Sequence, residues 1–362
     1  MCSSGRCRHR RPGRSSTAVP IAALAASVLL AACGSSRPGP SGVTLVPTHG
    51  GSSQAWRWNA NCTLRPTGKT GCWNAGPILG FGQLNGDAWN LGGSAKTGSI
   101  GMSTESSGAV RVDGHFNRTP PCTDADCLAP SAFTWVRGYP NVLYGIDQCL
   151  AGNSPRPSPQ LPLPLRLDSI PPHLTGVTAY AAETSRVTYD ITYDLWLNPT
   201  ATGRPCRSKG TLEILVWTDY DAQALLPASM QLGTADIPAA FGRHHGLNRA
   251  PWTIYATNIG RNGDTAPWGG TLWFVPSRAE VIHHGHVSVD LSAVLSEAGR
   301  LLHDDFDWLD PAQHYWLDTV SFGVEFGPAN GKPLDSGPSQ FSFRISSYCL
   351  NVKSGLANAT CG

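Results

Sequence analysis

Charge is scarce in this chain. Asp, Glu, Lys and Arg make up 14% of its 362 residues, where a globular protein ordinarily carries about 25%. No basic stripe of the kind that neutralises phosphates is present, so nucleic acid is not an expected partner. Long apolar runs are missing too. The longest, from about Val19 to Ala32, falls short of the roughly 20 residues a membrane-spanning helix needs. The chain lacks a G-x-S-x-G elbow, an H-E-x-x-H helix, a P-loop and a dinucleotide fingerprint, which leaves serine-hydrolase, zinc-protease and nucleotide chemistry without an anchor. It has no C-x-x-C pair, so the cysteines do not read as a zinc site. His283, His284 and His286, with His244 and His245, lack a recognisable ligand spacing and read as loop or edge positions. No metal and no organic cofactor is expected.

What is present begins with a leader. Arg6, Arg8, Arg10, Arg11 and Arg14 form a basic stretch ahead of the apolar run, which ends Leu30-Ala31-Ala32-Cys33-Gly34. Small residues before a Cys resemble a bacterial lipobox, with Cys33 as the lipidated residue and 1–33 as the signal peptide. The protein is therefore expected to be exported and held at the cell surface by a lipid anchor alone. Residues 34–54 are rich in Ser, Pro and Gly and read as a linker that buries no core, leaving 55–362 as one domain. Beyond the leader eight Cys remain: Cys62, Cys72, Cys122, Cys127, Cys149, Cys206, Cys349 and Cys361. An even number in an oxidising compartment suggests disulfides. Short-loop pairs 62–72, 122–127 and 349–361 are the simplest arrangement, with 149–206 left over.

Short apolar-alternating segments separated by Gly, Pro, Asn and Asp turns make the body an all-β sandwich. In 186–197 the core face takes Val187, Tyr189, Ile191, Tyr193 and Leu195, and the other face Thr188, Asp190, Thr192, Asp194 and Trp196. In 211–217 the core face takes Leu212, Ile214 and Val216, with Glu213, Leu215 and Trp217 opposite. In 320–326 Val320, Phe322, Val324 and Phe326 face inward, while Ser321, Gly323 and Glu325 face out. The glycines beside Glu325 read as room for a bulky ligand. A further strand is expected at 341–345, a helix at Leu291–Leu302 capped by Asp290 or Ser292, and an extended crossing loop at 155–172.

Asp194, Glu213 and Glu325 thus sit mid-strand on non-core faces, although Glu is a poor strand former. Solvent exposure is the plain explanation for any one of them. All three together, with Trp196 and Trp217 on the same faces, suit glycoside hydrolysis. That chemistry needs one carboxylic acid to protonate the leaving oxygen and one carboxylate at the sugar carbon. Tryptophan supplies flat apolar platforms for sugar rings.

The ordered set Tyr193-Asp-Leu-Trp-Leu-Asn-Pro-Thr200, Leu212-Glu-Ile-Leu-Val-Trp217 and Gly323-Val-Glu-Phe-Gly327 resembles glycoside hydrolase family 12, the jelly-roll endoglucanases. Tyr139-Pro-Asn141, Trp273-Phe-Val-Pro-Ser277 and, less closely, Trp89-Asn-Leu-Gly92 follow the same order, so the resemblance covers about 56–346. It implies a β-jelly-roll sandwich of two curved antiparallel sheets with one packed helix. It makes Glu213 the nucleophile, Glu325 the general acid/base and Asp194 the supporting acid, with Trp89 and Trp217 as substrate platforms beside Trp196. Phe326 departs from the family's Pro after the acid/base. The implied activity is a retaining endo-β-1,4-glucanase, a monomer acting on β-glucan such as cellulose, mixed-linkage glucan or xyloglucan. The alternative, kept open by Phe326, is a surface polysaccharide-binding lipoprotein with the same fold and little turnover.

Overall fold

A computed structural model describes residues 42–45, 55–58, 136–146 and 339–353, most of 71–116, 157–201, 208–242 and 251–328, together with 356 and 361. Two large sheets pack against each other. One comprises, in spatial order, Ala239–Phe241 (β15), His284–Asp290 (β18), Thr175–Ser185 (β11), Ser339–Asn351 (β20), Val110–Phe116 (β8), Gly98–Thr104 (β7) and Ala55–Trp58 (β2), with Gly42–Thr44 (β1) also paired to β20. The other comprises Gln231–Asp236 (β14), Pro251–Thr257 (β16), Gly270–Val275 (β17), Leu212–Tyr220 (β13), Val187–Asn198 (β12), Trp316–Pro328 (β19), Asn141–Gly145 (β9), Gly82–Asn85 (β5) and Ala75–Leu79 (β4), with Leu165–Arg166 (β10) on the flank of β19. A small pair, Gly71–Cys72 (β3) and Ala88–Trp89 (β6), stands apart. Pairing is antiparallel except between β13 and β17, which run parallel. The expected all-β sandwich is therefore present, with that one parallel contact as a correction.

The expected faces hold because alternation has period two. Tyr193 from β12, Phe322 from β19 and Tyr348 and Phe343 from β20 meet between the sheets, Tyr193 and Phe322 with ring centroids 4.8 Å apart. All four side chains are buried. The helix Leu291–Asp304 (α1) buries Leu291, Val294, Leu295, Ala298, Leu301 and Leu302, and the Asp290 side chain accepts a hydrogen bond from the Ala293 N–H at its start, satisfying one of the free N-terminal donors. A single turn, Pro311–His314 (α2), follows.

Three sequence expectations need correction. Residues 34–54 are not all linker: β1 pairs with β20, and Val43 and Leu45 are in the core at 1% and 0% exposure. Gly42 is required there, since a Cβ would lie 2.2 Å from the Leu350 carbonyl oxygen. The crossing loop at 155–172 contains β10 and buries Leu161 and Leu163. The strand expected at 341–345 runs on to Asn351, where its last residues lie between β11 and β1. The Cys349–Cys361 disulfide is formed as expected; the other proposed pairs, the leader and Cys33 lie outside the described residues.

Candidate active site

The three carboxylates singled out by sequence stand on three neighbouring strands, β13, β12 and β19, and on the same outward face of their sheet. Glu213 is paired with Trp196 across β13 and β12, and the Thr271 hydroxyl on β17 donates to its Oε2 at 3.1 Å. Asp194 pairs with Leu215 on one side and Ser321 on the other, which makes it the diagonal neighbour of Glu213, within cross-strand side-chain reach. The Trp196 indole N–H donates to Asp194 Oδ2 at 3.0 Å. Trp196 thus holds Asp194 while keeping its ring half-buried. Tyr139 lies beneath, its hydroxyl donating to the Thr192 carbonyl and accepting from Ser321. Burial first, and then the Asp194 charge, push that phenol well up.

Glu325 sits at a different level. Its cross-strand partner is Asp190, six positions before Trp196 on β12. At about 3.3 Å per residue the two levels are about 20 Å apart along a straight strand. Glu213 and Glu325 are therefore not side by side. They flank the stretch Thr192–Asp194, one at each end, with β12 between them. A chain lying across the strands at that stretch would have one carboxylate on either bank.

Asp190 was not singled out by sequence. It is 0% exposed and Glu325 is 7% exposed. Burial first, and then the adjacent Glu325 charge, push the Asp190 carboxyl well above the ordinary range. Its only sequence signal is a place on the polar face of an alternating strand. Its pairing depends on register, which the local pattern does not reveal.

Two readings of the surroundings change. Gly323 does not open space for a ligand: a Cβ there would lie 2.4 Å from the Pro140 carbonyl oxygen, so the glycine admits β9. Trp217 is 1% exposed and is no open sugar platform. It packs on Tyr220 at 5.4 Å and lies with Leu215 and Trp273 under Val136, Ala224 and Leu226. Phe326, the departure from the family pattern, faces inward against Phe341, with centroids 4.6 Å apart. Trp89 lies in β6, and its side chain is outside the described residues. Open clefts of about 640 Å³ and 790 Å³ lie elsewhere, the first on the other sheet around Arg111, Asp113 and Glu183, the second beside α1.

A second polar cluster occupies the opposite side of β13. A register shift between Ile191 and Thr192 reverses the alternation and turns Asp219 inward. It accepts from the Tyr189 hydroxyl at 3.3 Å and meets His283 Nδ1 at 3.1 Å. Burial raises the Asp219 carboxyl to about 6, opposed by His283. His283 is thus a partner for a buried acid. Among the described residues no group of three or more His, Cys, Asp or Glu is placed to hold a metal ion.

No family model matches the sequence, and no curated protein does. Solved structures do. A family 12 xyloglucanase from Bacillus licheniformis in complex with ligand superimposes with a TM-score of 0.50 at 14% identity, over 82% of this chain and 98% of that one. The native form of the Bacillus licheniformis family 12 xyloglucanase gives 0.50 at 15% identity, over 78% and 99%. Identity so low carries the architecture alone, and the architecture agrees with the order of motifs from Tyr139 to Gly327: the chain has the jelly-roll fold of the family 12 glycoside hydrolases.

Proposed function

We propose that the protein is a retaining endo-β-1,4-glucanase, exported and lipid-anchored at Cys33, that hydrolyses cellulose-like, mixed-linkage or xyloglucan chains without a metal or organic cofactor. The observation that carries this reading is the placement of Glu213 and Glu325 on one face of one sheet, flanking Thr192–Asp194. Glu213, oriented by Thr271, attacks the anomeric carbon. Its oxygen forms the new bond as the glycosidic C–O bond breaks, and Glu325 gives its proton to the departing oxygen. In the second step Glu325 takes a proton from water, whose oxygen displaces Glu213. Asp194, held by the Trp196 indole, supports Glu213 from the diagonal position. Double displacement requires the two carboxyl groups about 5–5.5 Å apart, so the offset of about 20 Å along β12 between their levels counts against it and for the non-catalytic alternative.

A further observation favours that alternative: Glu325 and Asp194 are each only 7% exposed, so substrate has to displace what covers them. Release of reducing ends from carboxymethylcellulose, barley glucan and xyloglucan separates the readings. Hydrolysis by the native chain that disappears in Glu213→Gln supports the enzyme. Retention of polymer in an affinity gel with no release of ends supports the binding protein.

A further inference from the structure

We propose that the connector 276–283, between β17 and β18, is a pH-operated cover: His283 latches it over the Trp217–Tyr220 corner in acid and releases it as pH rises. For its purpose, control of access to the candidate site, the inference rests on the glycosidase reading. The device itself stands on separate contacts. The connector leaves β17 at Pro276, whose carbonyl accepts from the Tyr220 hydroxyl at 3.1 Å. It turns where Ser277, Arg278 and Ala279 are exposed, with the Arg278 guanidinium 5.4 Å above the Tyr220 ring. Val281 then packs on the cluster that contains Trp217 and Tyr220. The Ile282 carbonyl accepts from the Tyr180 hydroxyl at 3.0 Å, and the His283 carbonyl accepts from the Ala182 N–H at 3.1 Å. The His283 ring closes the connector onto Asp219, with Nδ1 3.1 Å from Oδ1.

The latch has a buried half and an open half. The Asp219 side chain is 0% exposed and the His283 side chain 57% exposed, so the imidazole stands on the solvent side of the carboxylate. Tyr189 braces both: its hydroxyl lies 2.9 Å from His283 Nδ1 and donates to Asp219 Oδ2 at 3.3 Å. The other groups facing the pair are Asp190 from β12, Tyr180 from β11, Tyr220 and Asp221 beside Asp219 in the chain, and Arg278 on the connector. Burial outweighs the donors, and the Asp219 carboxyl stands at about 6. Once uncovered and hydrated, it returns towards the free value of 3.8. The covered state therefore binds the proton more tightly, so protonation favours closing and ionisation favours opening. The ratio of covered to uncovered chains falls by about a hundredfold between about pH 4 and about pH 6, and is flat on either side. Trp217 adds a bias towards opening. It is 1% exposed, and among the described residues its indole N–H meets no acceptor. Such a donor gains a partner when water or a sugar hydroxyl reaches it. Val136, Ala224 and Leu226 also lie over this cluster, so lifting the connector opens one side of the roof.

Hydrogen–deuterium exchange of the full chain, read by mass spectrometry across a pH series and corrected for intrinsic exchange, tests the cover without substrate. Peptides spanning 276–283 report the connector, and peptides from β19 report the sandwich. In the parent, connector amides should exchange well before those of β19. Their protection should fall by about a hundredfold between about pH 4 and about pH 6. Asp219→Asn keeps the shape and cannot ionise, so its connector protection should not change over that range. His283→Ala should lower connector protection at every pH while β19 keeps its own. The parent series decides by itself should either variant fail to fold. Flat protection in the parent, an equal fall in Asp219→Asn, or connector amides that exchange only together with β19 would overturn the proposal. A pH-dependent cover on a chain that hydrolyses no glucan would leave the device standing and defeat the glycosidase reading.

Discussion

Glu325 and Phe326 are neighbours in sequence with opposite fates, because successive strand residues point to opposite faces. Glu325 faces the candidate site. Phe326 is in the core on Phe341, and its backbone N–H donates to the Gly138 carbonyl. The family's proline at this position would have no N–H for that bond, so phenylalanine is compatible with the local pairing and does not project from the face that carries Glu325. Phe326→Ala should destabilise the fold by about 3–5 kcal/mol, measured by denaturant unfolding. Glu325→Gln should lower kcat on polysaccharide by about 10²–10⁴-fold. The loss should be far smaller on an aryl glycoside whose phenol needs no protonation to leave. Equal losses on both substrates would argue against Glu325 as the acid.

At the scale of elements, the shifted register between β12 and β13 separates two acid clusters that the alternation pattern would merge. Before the shift Glu213 faces outward with Asp194; beyond it Asp219 turns inward to Tyr189 and His283. The folded-state carboxyl of Asp219 at about 6 stands above the value of 3.8 for a free one, so the native state binds the proton more tightly than the unfolded chain. Its contribution to stability is complete below about pH 4 and is lost as pH rises to about 6, amounting to about 3 kcal/mol at most. Asp219→Asn should therefore flatten the fall in stability across that window. A pH series of thermal melts in which variant and parent keep the same slope would contradict this.

Across the whole molecule, both ends of the described chain meet on β20. β1 pairs with its last residues, and Cys361 is tied to Cys349 within it. Leu45→Ala should cost about 2–5 kcal/mol if Leu45 is core, whereas a linker position would show almost nothing. Replacing Cys349 and Cys361 by Ser should cost about 2–4 kcal/mol, since closing a short loop limits the unfolded chain. Calorimetric melts of the two variants test both.

Which side chains share a face was legible in the sequence, because it follows from local alternation and from turn residues between segments. So were the helix with its Asp290 cap, the short disulfide loop and the set of strands that supplies Asp194, Glu213 and Glu325. Register was not legible, because it is decided by pairing between separate segments and not by the pattern within one. The pairing of Asp190 with Glu325, the six-position offset from Glu213 and the inward turn of Asp219 all depend on it. Burial of Trp217 and Leu45 likewise depends on what other segments cover, since an apolar residue beside polar ones reads the same whether its face meets solvent or another part of the chain.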